Sequence, residues 1–141
     1  MKDHSRVRQL LKTFEELSKG SVEIGIFGKD GSEILLRATF NEFGTVRNPE
    51  RSFIRAGFDY NVEKWVELMK ELLQDVLDGN LTARQYFELA GETIAGDIKK
   101  YAIDLKQPPN HPYTITEKGS SNPLVDTGEM IDKISYKVVG V

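Results

Sequence analysis

Residues 62–82 read VEKWVELMKELLQDVLDGNLT. Val62, Trp65, Val66, Met69, Leu72, Leu73, Val76 and Leu77 recur there at helical spacing without a break. A stripe of that length predicts a helix that buries one face. The opposite face carries Glu63, Glu67, Glu71 and Asp75. Asp78-Gly79-Asn80 ends the run, and Thr82 stands where a second helix needs a cap. The stripe of that second helix is Ala83, Tyr86, Phe87, Ala90, Ile94, Ile98, Tyr101, Ala102 and Leu105. Gly91 and Gly96 interrupt it at a cost of roughly 1 kcal/mol each relative to alanine. Close approach of another backbone would explain them. Two long helices joined by so short a turn predict an antiparallel hairpin.

The flanks supply the other elements. Val7, Leu10, Leu11, Phe14 and Leu17 predict an amphipathic helix over residues 4–18, stopped by Gly20. The period then changes to two. Val22, Ile24 and Ile26 alternate with Glu23, Gly25 and Phe27, so residues 21–28 read as a strand. Asp30 and Glu33 have the spacing of a capping box, and a helix from Glu33 to Phe43 would stop at Gly44. Leu36, Ala38 and Phe40 also alternate, so the region around 34–50 is read as a possible extra strand. Residues 45–60 read as a connection in which Asn48 caps and Pro49 opens a short turn.

Four of the five prolines (Pro108, Pro109, Pro112 and Pro123) fall in residues 107–126, which predicts an extended loop. Within it, Thr114 and Glu117 fit a one-turn capping box. A short turn or helix through Lys133 precedes a last strand, in which Ile134, Tyr136 and Val138 alternate with Ser135, Lys137 and Val139. The expected fold is α+β and spans residues 1–141 as a single domain. A small, mostly antiparallel sheet packs against the long helix hairpin, with an N-terminal helix beside it. The two strands, far apart in sequence, are expected to pair.

Composition narrows the function. The 141 residues carry a net charge of −3, a poor balance for coating nucleic acid. Cysteine is absent, which excludes disulfides, thiolate metal sites and thiol nucleophiles. The two histidines, His4 and His111, lie near a terminus and in the proline-rich stretch, which argues against a nucleophile–base pair. No apolar run nears the roughly 20 residues that cross a bilayer. The charged start lacks a signal-peptide core, so a soluble, cytoplasmic product is expected.

Glu63, Glu67 and Glu71 stand one turn apart on one helix face, the pattern of a solvated surface. The glycines near Gly25, Gly28 and Gly31 lack a phosphate-loop pattern. Asp126, Glu129 and Asp132 lack the glycine-bearing frame of a calcium loop, and helix-start charge accounts for the first two. No catalytic, cofactor-binding or metal-ligating residue is assigned. Arg47, Arg51 and Arg55 recur every four residues and form the candidate partner-contact set; a solvated stripe, or salt bridges to the acidic long helix, is the structural alternative of equal weight. Residues 1–60 carry 10 basic and 9 acidic groups, whereas residues 61–141 carry 9 and 13. A molecule with a basic and an acidic side can pair head to tail with its own copies, and a closed series makes a ring.

Three phrases, taken in order, resemble a known family. They are Asn41-Glu42-Phe43-Gly44-Thr45; Pro49-Glu50-Arg51-Ser52-Phe53-Ile54-Arg55; and Thr114-x-x-x-Lys118, with Pro123-Leu124-Val125-Asp126-Thr127-Gly128-Glu129-Met130 and Ile134-Ser135-Tyr136-Lys137-Val138 behind it. Together they resemble the small tail-component and virion-morphogenesis proteins of tailed bacteriophages and prophages, also called tail-completion, neck or head–tail joining proteins. The matched positions are Glu42, Phe43, Gly44, Thr45, Arg51, Phe53, Leu124, Asp126, Thr127 and Gly128. This chain has Ser52 where the family has proline or serine, and Asn48 where a bulky residue often precedes the proline.

The resemblance implies a non-enzymatic structural subunit of the virion, made in the bacterial host cytoplasm and needing no cofactor. Its partners would be its own copies, in a homo-oligomeric ring with six subunits as one size, and phage tail or head-connector proteins. No membrane or specific nucleic-acid partner is implied. A tail terminator is the alternative within the class. Outside it stand a small carboxylate hydrolase and a nucleic-acid-binding regulator using Arg47, Arg51 and Arg55. Independently of the family, Gly44 suits a left-handed helix end, Phe53 an apolar anchor, and Asp126 or Thr127 a cap.

Overall fold

The computed structural model of the chain describes residues 4–28, 32–46, 50–105 and 128–141. In chain order the elements are α1 (Ser5–Lys19), β1 (Ser21–Gly25), α2 (Ser32–Phe43), α3 (Ile54–Leu77), α4 (Ala83–Asp104), α5 (Gly128–Asp132) and β2 (Ser135–Val139). The fold is α+β. The two strands pair antiparallel, Ser21 opposite Val139 and Gly25 opposite Ser135. The little sheet lies on α4, and α3 packs along α4 as the other arm of the hairpin. The proline-rich stretch at 107–126 and the Asp30 and Asn48 caps lie outside the described residues.

The hairpin forms as its sequence dictates. Gly79 turns the chain with φ of 83°. Thr82 accepts a hydrogen bond from the Gln85 N–H at 3.1 Å, and the Gln85 side chain accepts one from the Thr82 N–H at 2.9 Å. This capping box satisfies two donors at the start of α4. The predicted α4 stripe is buried at Ala83, Tyr86, Phe87, Ala90, Ile98 and Ala102.

Two apolar clusters share α4. The larger joins Ile98, Ala102 and Leu105 to Trp65 of α3, Ile34 and Ala38 of α2, Phe53, and Met130, Ile131 and Ile134 around α5. The smaller joins Tyr86 and Phe87 to Val76, with Leu17, Val22 and Val138 packed against it.

Several expectations are corrected. Residues 32–43 are helical and add no strand. Ile34, Ala38 and Glu42 are the buried positions, spaced by four, so the helical period prevails over the Leu36-Ala38-Phe40 alternation. The connection expected to run to residue 60 stops earlier, because α3 starts at Ile54. The first strand ends at Gly25, opposite the first residue of β2. Gly91 faces an aromatic ring rather than another backbone: a Cβ there would lie 2.5 Å from Tyr136 Cδ2. At Gly96 a Cβ would meet nothing within 4 Å. The amphipathic helix forms as predicted, yet α1 has no buried residue.

Candidate functional site

The first two phrases of the resemblance meet in space around Glu42. This residue ends the buried stripe of α2 and is only 7% exposed. Two residues later α2 has stopped at Gly44, whose φ of 74° and hydrogen bond to the Phe40 carbonyl (2.8 Å) make the left-handed end expected of it. The chain returns so that the Arg51 N–H donates to the Asn41 carbonyl at 2.7 Å.

The cap position of helix α3 is then Phe53, a residue with no side-chain oxygen to cap it. Glu42 supplies the missing acceptor. Its Oε1 takes the N–H groups of Phe53 at 2.7 Å and Ile54 at 2.5 Å. Its Oε2 takes the Ser52 hydroxyl at 3.0 Å and Arg55 Nε at 2.9 Å. Ser52 Oγ in turn accepts from the Ala56 N–H at 3.3 Å. A full negative charge thus sits on the positive end of the 24-residue helix α3.

The electrostatics follow from this geometry. Burial by itself pushes the Glu42 carboxyl up. The Ile54 N–H, the Arg55 side chain, the Phe53 N–H and the Ser52 hydroxyl outweigh it and hold the group below its ordinary value. Arg55 also bonds the Glu42 carbonyl and Glu50 Oε1, the latter at 2.9 Å. Its guanidinium carbon lies 4.4 Å from the centre of the Phe43 ring. Phe53, the expected apolar anchor, is fully buried.

The three arginines therefore differ. Arg55 belongs to this clasp, its charge already met by two carboxylates. Arg51 is half-buried, and its Nε has no hydrogen-bond partner among the described residues. Arg47, Leu124, Asp126 and Thr127 lie outside the described residues, while Gly128 opens α5 and Thr45 is exposed. The sequence flagged Glu42 only through the resemblance. The physical signal was a helix start without a cap of its own, preceded 11 residues upstream by an acid in a buried stripe position.

A second feature is an open groove of about 610 Å³ between α3 and α4, lined by Tyr60, Lys64, Asp97, Lys100, Tyr101 and Asp104 among others. Asp97 Oδ2 accepts from Trp65 Nε1 at 2.8 Å and pairs with Lys64 at 3.0 Å. Lys100 pairs with Asp104 at 3.0 Å. Both carboxylates stand on α4, on one wall, each held by a lysine, so they do not face each other across the groove. Sequence reasoning missed Asp97, although a tryptophan buried on the α3 stripe needs an acceptor for its N–H. Among the described residues, no three His, Asp or Glu side chains converge as a metal site. Nor is any helix among them long and apolar enough to cross a membrane. No family model, curated protein or solved structure matches the chain.

Proposed function

We propose that the chain is a structural subunit of a tailed phage or prophage particle, a tail-completion or neck component at the head–tail joint. It works by ring-type self-assembly and by contacts with tail or connector proteins, without turning over a substrate. The observation that carries this reading is the Glu42 clasp. Two of the three phrases behind the resemblance, separate in sequence, close on each other through Glu42, Ser52, Phe53 and Arg55. Their co-occurrence in this chain thus has a common structural reason. The surface fits the same reading. Large apolar side chains stand exposed along α1 (Val7, Leu11, Phe14) and α2 (Leu36, Phe40, Phe43), in rows that subunit contacts would cover.

The test is binding to phage parts. Purified protein mixed with tail tubes or head connectors is expected to appear as a ring at their ends in negatively stained images. Protein that binds neither component at any concentration overturns the reading.

A further inference from the structure

The chain carries two apolar edges with matched and opposite margins. On α1, Val7, Leu11 and Phe14 are 54%, 62% and 49% exposed. Arg8 and Lys12 follow Val7 and Leu11 by one position, and both are exposed and outside any ion pair among the described residues. On α3, Phe58 and Val66 are 50% and 47% exposed, with Val62 half-buried between them. Here Asp59 and Glu63 follow Phe58 and Val62 by one position, and they too are exposed and unpaired among the described residues. Apolar residues repeat at three- and four-residue steps on α1 and every four positions on α3, bordered by bases on the first and acids on the second.

These edges cannot meet within one chain. Arg6 near the start of α1 bonds the Leu77 carbonyl at the end of α3 (3.1 Å). Phe58 and Val66 lie 11 to 19 residues back along α3 from Leu77, about 16–28 Å away at 1.5 Å per residue. One edge thus sits by the hairpin turn and the other toward the far end of the hairpin.

Orientation follows from helix geometry. One residue forward is 100° round the axis in the same sense on every α-helix. The charged margin therefore lies on the same rotational side of the apolar row in α1 and in α3. Two facing helices bring such margins together when antiparallel and hold them apart when parallel. We propose that α1 of one copy docks antiparallel along the Phe58–Val66 edge of α3 of a second copy. Arg8 then stands opposite Glu63 and Lys12 opposite Asp59, with Leu11 seated between Phe58 and Val62. The contact joins two different patches, so it is head-to-tail and propagates into a ring or a chain. It rests on the self-assembly reading above and names the interface.

Two variants test it. Arg8→Glu with Lys12→Glu gives a chain with both margins acidic; Asp59→Lys with Glu63→Lys gives one with both basic. All four sites are exposed, and circular dichroism checks that each variant folds. Sedimentation should show each variant associating at least tenfold more weakly than the natural chain, and an equimolar mixture recovering assembly as an alternating series. Because the chain has no cysteine, mixing a Leu11→Cys protein with a Val62→Cys protein under mild oxidation should give the mixed disulfide dimer. A natural chain that stays monomeric, variants that assemble undiminished, or a mixture that fails to recover each overturns the interface. Tail-tube binding by the natural chain is scored separately. A lost interface with retained tube binding sinks only this inference, and recovered assembly without tube binding sinks only the phage reading.

Discussion

At the scale of single residues, the fold depends on one carboxylate doing the work usually left to a local cap. Glu42 is buried, and the N–H groups of Phe53 and Ile54 have it as acceptor. Glu42→Gln keeps an amide oxygen but removes the charge that the helix end and Arg55 face. Hydrogen bonds to charged groups are worth roughly 1.5–3 kcal/mol each, so urea unfolding at pH 7 should show a loss of roughly 2–3 kcal/mol. The pH dependence has a definite sign. The folded carboxyl is held below its ordinary value of 4.5. Its contribution is complete above that value and is lost as pH falls through the lower folded value. The stability gap between natural chain and variant should therefore narrow from pH 7 to pH 3; a gap that widens on acidification would show that the charge is not what Glu42 contributes.

At the scale of elements, α4 offers an internal comparison. Gly91 leaves room for the Tyr136 ring of β2, whereas Gly96 points into open space. Gly91→Ala should destabilise by about 1–3 kcal/mol through overpacking. Gly96→Ala should stabilise by about 0.5–1 kcal/mol through helix propensity alone. Thermal melts of the two variants should move in opposite directions, and melts moving together would mean that the ring contact is not what Gly91 serves. Helix α1 is the opposite case, an element with no buried residue. Its amides should exchange with solvent faster than those of central α4, as measured by native-state hydrogen exchange. Equal protection would show α1 held as firmly as the hairpin.

Elements set by local pattern were legible: the helix through Val62–Leu77, although Val66 and Leu73 of its expected buried stripe stand exposed, the Thr82 cap, the stop at Gly44 and both strands. The start of α3 was not, because Gly57 and Asn61 hold the buried positions of its first turns and look like loop residues. Its cap, moreover, comes from another helix. The exposure of α1 was illegible for a related reason: an apolar stripe shows that something covers it, but not whether that something is in the same chain.

At the scale of the whole molecule, the two ends of the sequence close the structure. β1 has β2 as its pairing partner, and Val22 lies opposite Val138 on the face toward α4. Just before β2, α5 inserts Met130 and Ile131, and Ile134 follows; all three are at most 3% exposed, in the cluster that also holds Phe53 and Trp65. The larger core is thus incomplete until the last segment of chain has docked. Met130→Ala removes a fully buried side chain from a close-packed site and should cost about 2–5 kcal/mol. The loss should not stay local. α4 runs through both clusters, with Ile98 and Ala102 in one and Tyr86 and Phe87 in the other. Loosening the larger cluster therefore withdraws support from the sheet as well. Trp65, the one tryptophan, is buried in the larger cluster and reports its packing. In urea, Trp65 fluorescence and far-ultraviolet circular dichroism should give one coincident transition in the natural chain, and in Met130→Ala the same single transition at lower urea. A tryptophan transition that separates from the loss of helix would mean that the clusters unfold independently, and that α4 bridges them without coupling them.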